Sequence, residues 1–396
     1  MIRRGRPLIQ LPGPTNIPDR VLRAMHRVGE DFAAPEFTVF ARTALDELKR
    51  IVLTEGEIFA FAAVGHGAWE LALQNLVGPG ESVLIPEAGR FSESWREMCR
   101  ALEVPALKVP GDWRRPVDAN AVDAVLRDDV DRTIKAVLAV HVETSTGIAH
   151  DVGAIRAALD RTGHPALLVV DAIASLACVP LPMDELGLDV VLAASQKGLM
   201  LPPGLCFAAV GPRALAVAET GGMPRRYWDW RPRRGAHSYE WFYGTPPVQM
   251  LHGLRASLDM IFEETLAGVH ARHRRLAEAA RAAVARWAEA GALEFQCVEP
   301  VGRSDTITAI RFADGLDPEA LRRLCRDRFS VSFGGGLGEL HGKVLRIGHL
   351  GDLNEAMLLG ALAVLETVLA LEDVPHARGG VEAASASLAT GEGHDR

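Results

Sequence analysis

The sequence has few cysteines, no long apolar run and no excess of basic residues. Its five cysteines among 396 residues show neither CxxC nor metal-ligand spacing, so we expect reduced thiols and no metal site. No apolar run is long enough to cross a bilayer. No apolar segment follows the basic start at residues 1–7, so we expect no secretory leader. Acidic residues outnumber basic ones by 51 to 43, which argues against nucleic acid or an anionic membrane surface as a partner. These absences predict a cytoplasmic protein.

Two common nucleotide-binding signatures are also missing. The chain has neither a strand-following GxGxxG with a later acid nor a GxxxxGK[ST] motif, so an enzyme that depends on those cofactor signatures is not indicated. The composition is that of an ordinary globular protein, with 48% hydrophobic and 24% charged residues. A chain of this length and composition can build two domains and a large core.

Short apolar runs alternate with helical patterns from about residue 57 to residue 211. This alternation predicts an α/β fold with a mostly parallel sheet that is covered by helices on both faces. Two long helical stretches follow, and then a strand–helix–strand–helix pattern that predicts a smaller α+β domain. The predicted organisation is an N-terminal arm (1–20), a large domain (21–265), a small C-terminal domain (266–376) and a flexible tail (377–396).

A lysine and an aspartate each follow a buried apolar run. Lys197 comes soon after the run at 190–193, and Asp171 directly follows the run at 167–170. Lysine is rarely buried without a partner, and a desolvated lysine loses its proton readily and becomes a nucleophile. Such a pair suits pyridoxal 5′-phosphate (PLP), which binds a lysine as a Schiff base and needs an acid beside its ring nitrogen. A buried ion pair or two loop charges would give the same pattern.

Glycines and hydroxyl residues follow two other strands. Gly65, His66 and Gly67 open a helix after a strand, and backbone amides at such a turn can bind a phosphate. Most turns of this kind bind nothing. Thr144 and Ser145 can donate hydrogen bonds to a phenolate or phosphate oxygen, or can serve only as turn and capping residues.

Three further residues each have a functional and a structural interpretation. Phe91 can stack on a planar ring or belong to the core, and Thr245 can bind a phosphate or form a turn. Arg346 stands inside an apolar strand, where an unpaired guanidinium is costly. Either a substrate carboxylate or a structural salt bridge would offset that cost.

Seven motifs occur together in an order that resembles one family. With them the chain resembles the class V aminotransferases of PLP fold type I, and most closely the bacterial serine–glyoxylate aminotransferases. The similarity extends from about residue 11 to residue 380. It implies a large domain with a mostly parallel seven-stranded sheet, flanked by helices, and a smaller C-terminal α+β domain. The motifs occupy residues 12–18, 65–70, 141–147, 170–172, 195–198, 202–204 and 342–351.

The resemblance implies a role for each matched residue. Lys197 matches the lysine that binds PLP, and Asp171 matches the partner of the pyridine nitrogen. Phe91 matches the aromatic residue that covers the ring, where the related alanine–glyoxylate enzymes have tryptophan. Arg346 matches the arginine that binds the substrate carboxylate, and the backbone of Gly13 borders the substrate.

The resemblance also implies contacts to the ring oxygen and to the phosphate of PLP. Thr144 or Ser145 contacts the ring oxygen. Phe242 stands where the alanine–glyoxylate enzymes have a phosphate-binding tyrosine, so Tyr243 is the alternative residue for that contact. Thr245 is expected to reach the phosphate from a neighbouring subunit. The other implied phosphate-binding positions are Gly65, His66, Gly67 and Gln196.

The implied activity is PLP-dependent transfer of an amino group from L-serine to glyoxylate, which gives hydroxypyruvate and glycine by a ping-pong mechanism. Alanine as the donor, or a mixed preference, is an alternative, because a pocket that merely tolerates a hydroxyl discriminates by about a hundredfold or less. A cysteine desulfurase, which needs an exposed cysteine, and a non-catalytic PLP-fold protein are remoter alternatives. The expected partners are amino acids, 2-oxo acids and a second copy of the chain, in a homodimer or larger homo-oligomer that shares its active sites.

Overall fold

The computed structural model describes residues 5–390. The strands are β1 (Leu8–Gln10), β2 (Glu57–Phe61), β3 (Ser82–Pro86), β4 (Ala106–Val109), β5 (Ile134–Val140), β6 (Val142–Glu143), β7 (Ile148–Ala149), β8 (Leu167–Asp171), β9 (Val190–Ala194), β10 (Cys206–Val210), β11 (Leu293–Phe295), β12 (Ile307–Phe312), β13 (Val331–Gly335) and β14 (Val344–Gly348). The helices are α1 (Asp19–Met25), α2 (Pro35–Val52), α3 (Gly65–Leu76), α4 (Arg90–Ala101), α5 (Ala119–Asp128), α6 (Val152–Thr162), α7 (Pro212–Thr220), α8 (Ser238–Trp241), α9 (Val248–Glu264), α10 (Leu266–Ala288), α11 (Pro318–Phe329), α12 (Glu355–Leu371) and α13 (Gly380–Thr390).

A seven-stranded sheet forms the centre of the large domain, in the order β2-β10-β9-β8-β5-β3-β4. The pairs that join β4, β3, β5, β8 and β9 are parallel, and β10 is antiparallel to both of its neighbours. The predicted α/β fold with a mostly parallel seven-stranded sheet is confirmed. Strand β4 was not predicted, because Leu107 and Lys108 are exposed at this edge and no continuous apolar run marks it.

Helices cover both faces of this sheet because successive residues of a strand point to opposite faces. In β8, Leu168 and Val170 pack into a core with α2, α5, α6 and α9. Leu167 and Val169 pack on the other face, with α3, α4 and α7. The central strands are therefore buried throughout. Across residues 5–390, none of the helices combines the length and the apolarity needed to cross a bilayer.

A second sheet of five strands has the order β1-β13-β14-β12-β11. Strands β11 to β14 pair in antiparallel fashion, and β1 from the N-terminal arm pairs with β13 in parallel. The predicted strand–helix–strand–helix pattern corresponds to β12, α11, β14 and α12. Strands β1, β11 and β13 were not predicted, because they are short or rich in glycine and polar residues. The arm is therefore tied to the C-terminal sheet, and the residues after β1 lead towards the large domain.

The predicted flexible tail is wrong for residues 380–390, which form α13. Glu366 accepts hydrogen bonds at 2.7–3.3 Å from the three backbone N–H groups of residues 379–381, where the helix begins. Gly380 packs closely on the fully buried Trp287, because a Cβ at Gly380 would lie 2.0 Å from the indole Nε1. The small residues that suggest a frayed end thus allow close packing. Residues 391–396 of the predicted tail lie outside the described residues.

Removing residues 377–396 is expected to lower the free energy of unfolding by about 2–4 kcal/mol. The deletion uncovers Trp287 and the apolar face of α10, and full burial of one large apolar side chain contributes about 1.5–3 kcal/mol. Thermal and urea denaturation measure the effect. A chain that ends at Thr390 keeps α13 and is the matched control. Equal stability of the two shortened chains would contradict the packing role of α13.

Candidate active site

A cavity of about 270 Å³ lies at the carboxyl ends of the strands in the seven-stranded sheet. The loops after β2, β5, β8 and β9, the start of α4 and the N-terminal arm form its walls, as expected for an open α/β sheet. Eight of the predicted site residues line it, namely Gly13, Gly65, His66, Phe91, Thr144, Asp171, Gln196 and Lys197. The folded chain therefore brings together residues that are up to 184 positions apart in the sequence.

The amine of Lys197 is buried and contacts the backbone of the N-terminal arm. Its Nζ donates to the carbonyl oxygen of Pro12. A Cβ at Gly13, whose φ is +113°, would lie 2.5 Å from the lysine side chain, so only glycine leaves room here. Burial, and then the positive charge of Arg346, lower the pKa of Lys197 to about 8. This amine therefore loses its proton more readily than an exposed lysine and is more available as a nucleophile.

The loop that carries Lys197 is held by Thr15, which was not assigned a role from the sequence. Thr15 Oγ1 donates to the carbonyl oxygen of Lys197 at 3.0 Å, and Thr15 N donates to the carbonyl oxygen of Gln196 at 3.1 Å. The motif at residues 12–18 gave the only sequence signal for this contact. The arm thus positions the lysine as well as bordering the cavity.

Asp171 is the last residue of β8, and its carboxylate is buried. Its Oδ1 accepts a hydrogen bond from the backbone N–H of Ile173 at 2.8 Å, and its Oδ2 accepts one from Trp69 Nε1 at 3.0 Å. Burial raises the pKa of Asp171 to about 7, while these two donors and the charge of Lys197 act in the opposite direction. Each carboxylate oxygen keeps further acceptor capacity for a ligand.

Three aromatic rings lie close together at the cavity. The centroid of the Trp69 ring lies 4.5 Å from that of His66 and 6.1 Å from that of Phe91, which meets it edge-on. Burial lowers the pKa of His66, so its imidazole is neutral at physiological pH. Aromatic side chains beside a lysine and a carboxylate can contact a planar ring.

The helix N-terminus at the cavity is available to an anion. Helix α3 begins at Gly65, and Val64 precedes it without a side-chain capping hydrogen bond. A Cβ at Gly65 would lie 2.5 Å from Ile173 Cδ1, so the close approach requires glycine. The Oε1 atom of Gln196 is also buried and has no hydrogen-bond partner within residues 5–390. Backbone N–H groups at a helix start can bind a phosphate. Of the Gln196 side chain, the NH2 group can donate to a phosphate, whereas Oε1 can only accept.

Glu143 is a buried acid that sequence reasoning missed. Its carboxylate accepts hydrogen bonds from the backbone N–H groups of Phe91, Ser92 and Ser145, and from Ser145 Oγ, at 2.7–3.2 Å. Burial raises the pKa of Glu143, while these four donors act to lower it. An ionised carboxylate accepts all four, because it carries only acceptors. Its position inside a motif of the family gave a signal without a role.

Thr144 and Ser145, which the sequence left as alternatives, differ in their surroundings. Thr144 lines the cavity, whereas Ser145 does not. The hydroxyl of Ser145 donates to Glu143 and accepts from the backbone N–H of Arg90 at 3.0 Å. Thr144 is therefore placed to meet a ligand, and Ser145 connects Glu143 to the start of α4.

Arg346 is buried in β14 next to the cavity and has no acidic partner. Its Nε donates to the carbonyl oxygen of Gly335 at 2.7 Å, and its Nη1 donates to that of Thr144 at 2.8 Å. Within residues 5–390, no carboxylate forms an ion pair with it, so the structural salt bridge considered from the sequence is not found. Burial lowers the pKa of Arg346 to about 10, and the negative charge of Glu143 opposes that change. A substrate carboxylate would complete this site.

Three predicted contacts lie outside the cavity of their own chain. Gly67 faces Trp228, whose ring a Cβ at this position would approach to 3.0 Å. Thr245 is exposed and Tyr243 is half-buried. Phe242 is buried in the core, so its ring is not available to a ligand. These positions do not contribute to the cavity of the chain to which they belong.

Comparison with known proteins decides the family. The family described as aminotransferase class-V matches residues 12–336. The chain belongs to the class-V aminotransferases. It is 41% identical over 393 residues to the serine–glyoxylate aminotransferase of Methylorubrum extorquens, with 98% of this chain and 97% of the relative covered. It is also 39% identical to the L-aspartate–glyoxylate aminotransferase of Paracoccus denitrificans, with 91% of each protein covered.

The fold of this class-V aminotransferase matches a solved relative over almost the whole length. The pyridoxamine–pyruvate aminotransferase of Mesorhizobium loti superposes with a TM-score of 0.89 at 27% identity, covering 98% of this chain and 99% of that one. The protein is therefore a PLP-dependent transaminase.

The residues present fit PLP. A buried amine with a lowered pKa, a buried carboxylate and an uncapped helix start all meet at one cavity. Each of them matches one part of PLP, namely the aldehyde, the ring nitrogen and the phosphate.

Proposed function

We propose that this transaminase transfers the amino group of L-serine to glyoxylate and releases hydroxypyruvate and glycine. The observation that carries the proposal is the buried guanidinium of Arg346, which has no acidic partner among residues 5–390 and lies beside a cavity that contains Lys197 and Asp171. This arrangement suits a substrate with one carboxylate and one amino group. The similarity to serine–glyoxylate aminotransferases over nearly the full chain supports serine and glyoxylate as the pair.

The charge of the cavity wall favours an amino donor with a small, uncharged side chain. Among the residues that line the cavity, Lys197 is the one cation, since the pKa of His66 is lowered. A second carboxylate, such as that of aspartate, would need its own cationic partner in this buried place. We therefore expect serine to react in preference to aspartate.

Lys197 performs the proton transfers in the proposed mechanism. When bound, PLP supplies a ring that accepts electrons and so stabilises negative charge on the substrate Cα. With its lowered pKa, Lys197 Nζ accepts the proton from the substrate Cα. It then gives that proton up to the cofactor as the amino group is transferred. The same atom binds the cofactor between turnovers.

Asp171 and Arg346 orient the reacting groups. The carboxylate of Asp171 would keep the ring nitrogen protonated. This carboxylate accepts hydrogen bonds from Trp69 and from the backbone of Ile173. Arg346 binds the substrate carboxylate in a bidentate manner, which restricts rotation and directs the Cα–H bond towards Lys197. Phe91 and Trp69 exclude water from one side of the cavity.

We propose that Gly65, His66 and Gln196 bind the phosphate of PLP within one subunit. Tyr243 and Thr245, which lie outside the cavity of their own chain, would reach the phosphate of a second copy. The proposal therefore includes a homodimer or a larger homo-oligomer with shared sites, in the cytoplasm.

A half-reaction screen tests the donor. The purified enzyme loaded with PLP is mixed with one amino acid, and the loss of the cofactor absorbance is followed by stopped flow. Serine is expected to react fastest, and the steady-state double-reciprocal plots with glyoxylate should be parallel. Fast reaction with aspartate or alanine but not with serine would overturn the proposed donor. Intersecting plots without an isolable half-reaction would overturn the mechanism.

Alanine is the closest competing donor, because it differs from serine by one hydroxyl. Equal rates for the two donors in the same screen would show a mixed preference. The desulfurase alternative is opposed by the burial of all five cysteines. Burial raises the pKa of Cys178, which lies near Lys197, to about 12, whereas a nucleophilic cysteine needs exposure and a low pKa.

Replacing Arg346 with lysine is expected to raise the KM for the amino donor by about tenfold to a hundredfold, with a smaller change in kcat. Lysine keeps a positive charge but loses the bidentate geometry and cannot hold the carbonyl oxygens of both Gly335 and Thr144. Initial-rate kinetics measure the effect. Arg322→Lys is the control, because Arg322 lies close to Arg346 but pairs with Glu319. Similar KM values in the two variants would contradict the proposed role.

A further inference from the structure

Trp69 joins the helix at the cavity to the acid at the end of β8. The residue lies in α3 and only 1% of its surface is exposed. Its indole Nε1 donates a hydrogen bond of 3.0 Å to Asp171 Oδ2, and the same side chain lines the cavity. An N–H donor to a buried carboxylate favours the charged form and fixes its direction.

The orientation of this indole is determined by its neighbours. Its ring stacks on that of Trp95, with centroids 5.4 Å apart and an angle of 14° between the planes. His66 and Phe91 contact other parts of the ring. The indole is held by packing, so the direction of its N–H bond does not depend on the ligand.

We propose that Trp69 is a positioning residue of this transaminase, whose indole N–H holds the Asp171 carboxylate in one orientation and stabilises its negative charge. The inference rests on the proposed role of Asp171 as the partner of the ring nitrogen. Ile173 N–H serves one carboxylate oxygen and Trp69 serves the other. Each oxygen keeps further acceptor capacity, and Asp171 lines the cavity, where a protonated ring nitrogen would donate.

Several other groups act on the charge of Asp171. Glu143 from β6 opposes the charge, and Lys197 from the loop after β9 favours it. Two neutral imidazoles complete the surroundings. His141 donates its backbone N–H to the Asp171 carbonyl oxygen, and burial lowers the pKa of its ring to about 4, while the pKa of His66 is also lowered. Removing the indole donor leaves Glu143 and desolvation less opposed, so protonation of Asp171 becomes easier.

The test compares Trp69→Phe with Trp95→Phe in the enzyme loaded with PLP. Both replacements remove an indole from the same stacked pair. Trp95 Nε1, however, has no hydrogen-bond partner within the described residues, and phenylalanine at position 95 keeps an aromatic ring against Trp69, so we expect the hydrogen bond from Trp69 to Asp171 to be retained. The pH dependence of kcat/KM for serine and the midpoint of the pH titration of the cofactor spectrum are measured, together with thermal unfolding.

In Trp69→Phe the acidic limb of the pH profile is expected to shift to higher pH by about one pH unit. The reason is that losing a hydrogen bond to a charged carboxylate raises its pKa by about that amount. Trp95→Phe is expected to leave the limb in place. Equal limbs in the two variants would overturn the proposal. The variant Asp171→Asn distinguishes failure of the Trp69 proposal from failure of the proposed role of Asp171. If the acidic limb is lost in Asp171→Asn but does not shift in Trp69→Phe, only the proposal for Trp69 is overturned. An unchanged limb in Asp171→Asn overturns the proposed role of Asp171 and with it the inference.

A measurement on the protein without PLP keeps the test valid if Trp69→Phe does not fold. The emission of an indole depends on the ionisation of the carboxyl to which it donates. A change in tryptophan fluorescence with a midpoint near pH 7 is expected in the native apoprotein and in Trp95→Phe, and it should be lost in Asp171→Asn. Fluorescence that stays constant through this range, or that changes equally in Asp171→Asn, would overturn the proposal.

Discussion

Replacing Lys197 with alanine is expected to abolish transamination, with kcat falling by at least about 10³-fold, because the variant loses the amine that we propose both binds PLP and transfers protons. The remaining cavity can still bind PLP non-covalently through the start of α3 and Gln196. Single-turnover mixing with serine measures the loss. Partial rescue by a small primary amine in the buffer would show that proton transfer is what the variant lacks.

Reduction with borohydride provides an independent check of the same residue. Of the five lysines in the chain, Lys197 is the buried one, and the others are exposed or half-buried. Peptide mapping should therefore find the reduced cofactor on Lys197. Lys108→Ala is the control, because Lys108 is exposed at the edge of the sheet and pairs with Glu87. Labelling elsewhere, or full activity in Lys197→Ala, would refute the proposed site.

Replacing Asp171 with asparagine is expected to lower kcat by about 10²–10⁴-fold, comparable to the loss of a catalytic proton-transfer group. The asparagine amide has one oxygen, so it cannot accept from both Trp69 and Ile173, and it cannot hold a charge on the ring nitrogen. Stopped-flow half-reactions and the spectrum of the bound cofactor measure the effect.

Asp189→Asn is the matched control for that variant. Asp189 is also a buried aspartate of the central sheet, but it precedes β9 at the end opposite the cavity and accepts from the N–H of Leu168 at 2.8 Å. Its replacement should reduce stability and leave the cofactor spectrum and the half-reaction rate close to those of the parent protein. Equal kinetic losses in the two variants would show that Asp171 acts through folding alone.

Much of the large domain could be predicted because its strands are buried on both faces. Strands β8 and β9 are continuous apolar runs, and each leads to a residue that the proposed mechanism uses, Asp171 and Lys197. Strand β4 at the sheet edge and the glycine-containing β13 lack such runs and were missed. Amphipathic patterns report burial, so elements that are partly exposed or rich in glycine leave little trace in the sequence.

The sequence indicated which residues lie at the candidate site better than it indicated the hydrogen bonds between them. Eight of the residues that the sequence singled out line one cavity. Glu143 and Trp69, by contrast, lay inside recognised motifs without an assigned role, because glutamates usually lie at the surface and tryptophans usually belong to the core. Their hydrogen bonds to Ser145 and Asp171 depend on how α3, α4 and β8 pack together.

The amino-acid sequence by itself determined the alternation of strands and helices in the large domain, the family, and the lysine and aspartate that follow buried strands, because these follow from periodicity and from neighbours along the chain. Only the tertiary structure decided that β1 joins the C-terminal sheet, that α13 packs on Trp287, and that Trp69 holds Asp171 across 102 positions of sequence. Such contacts depend on which faces meet when the layers assemble, and the pattern within any one segment does not contain that information.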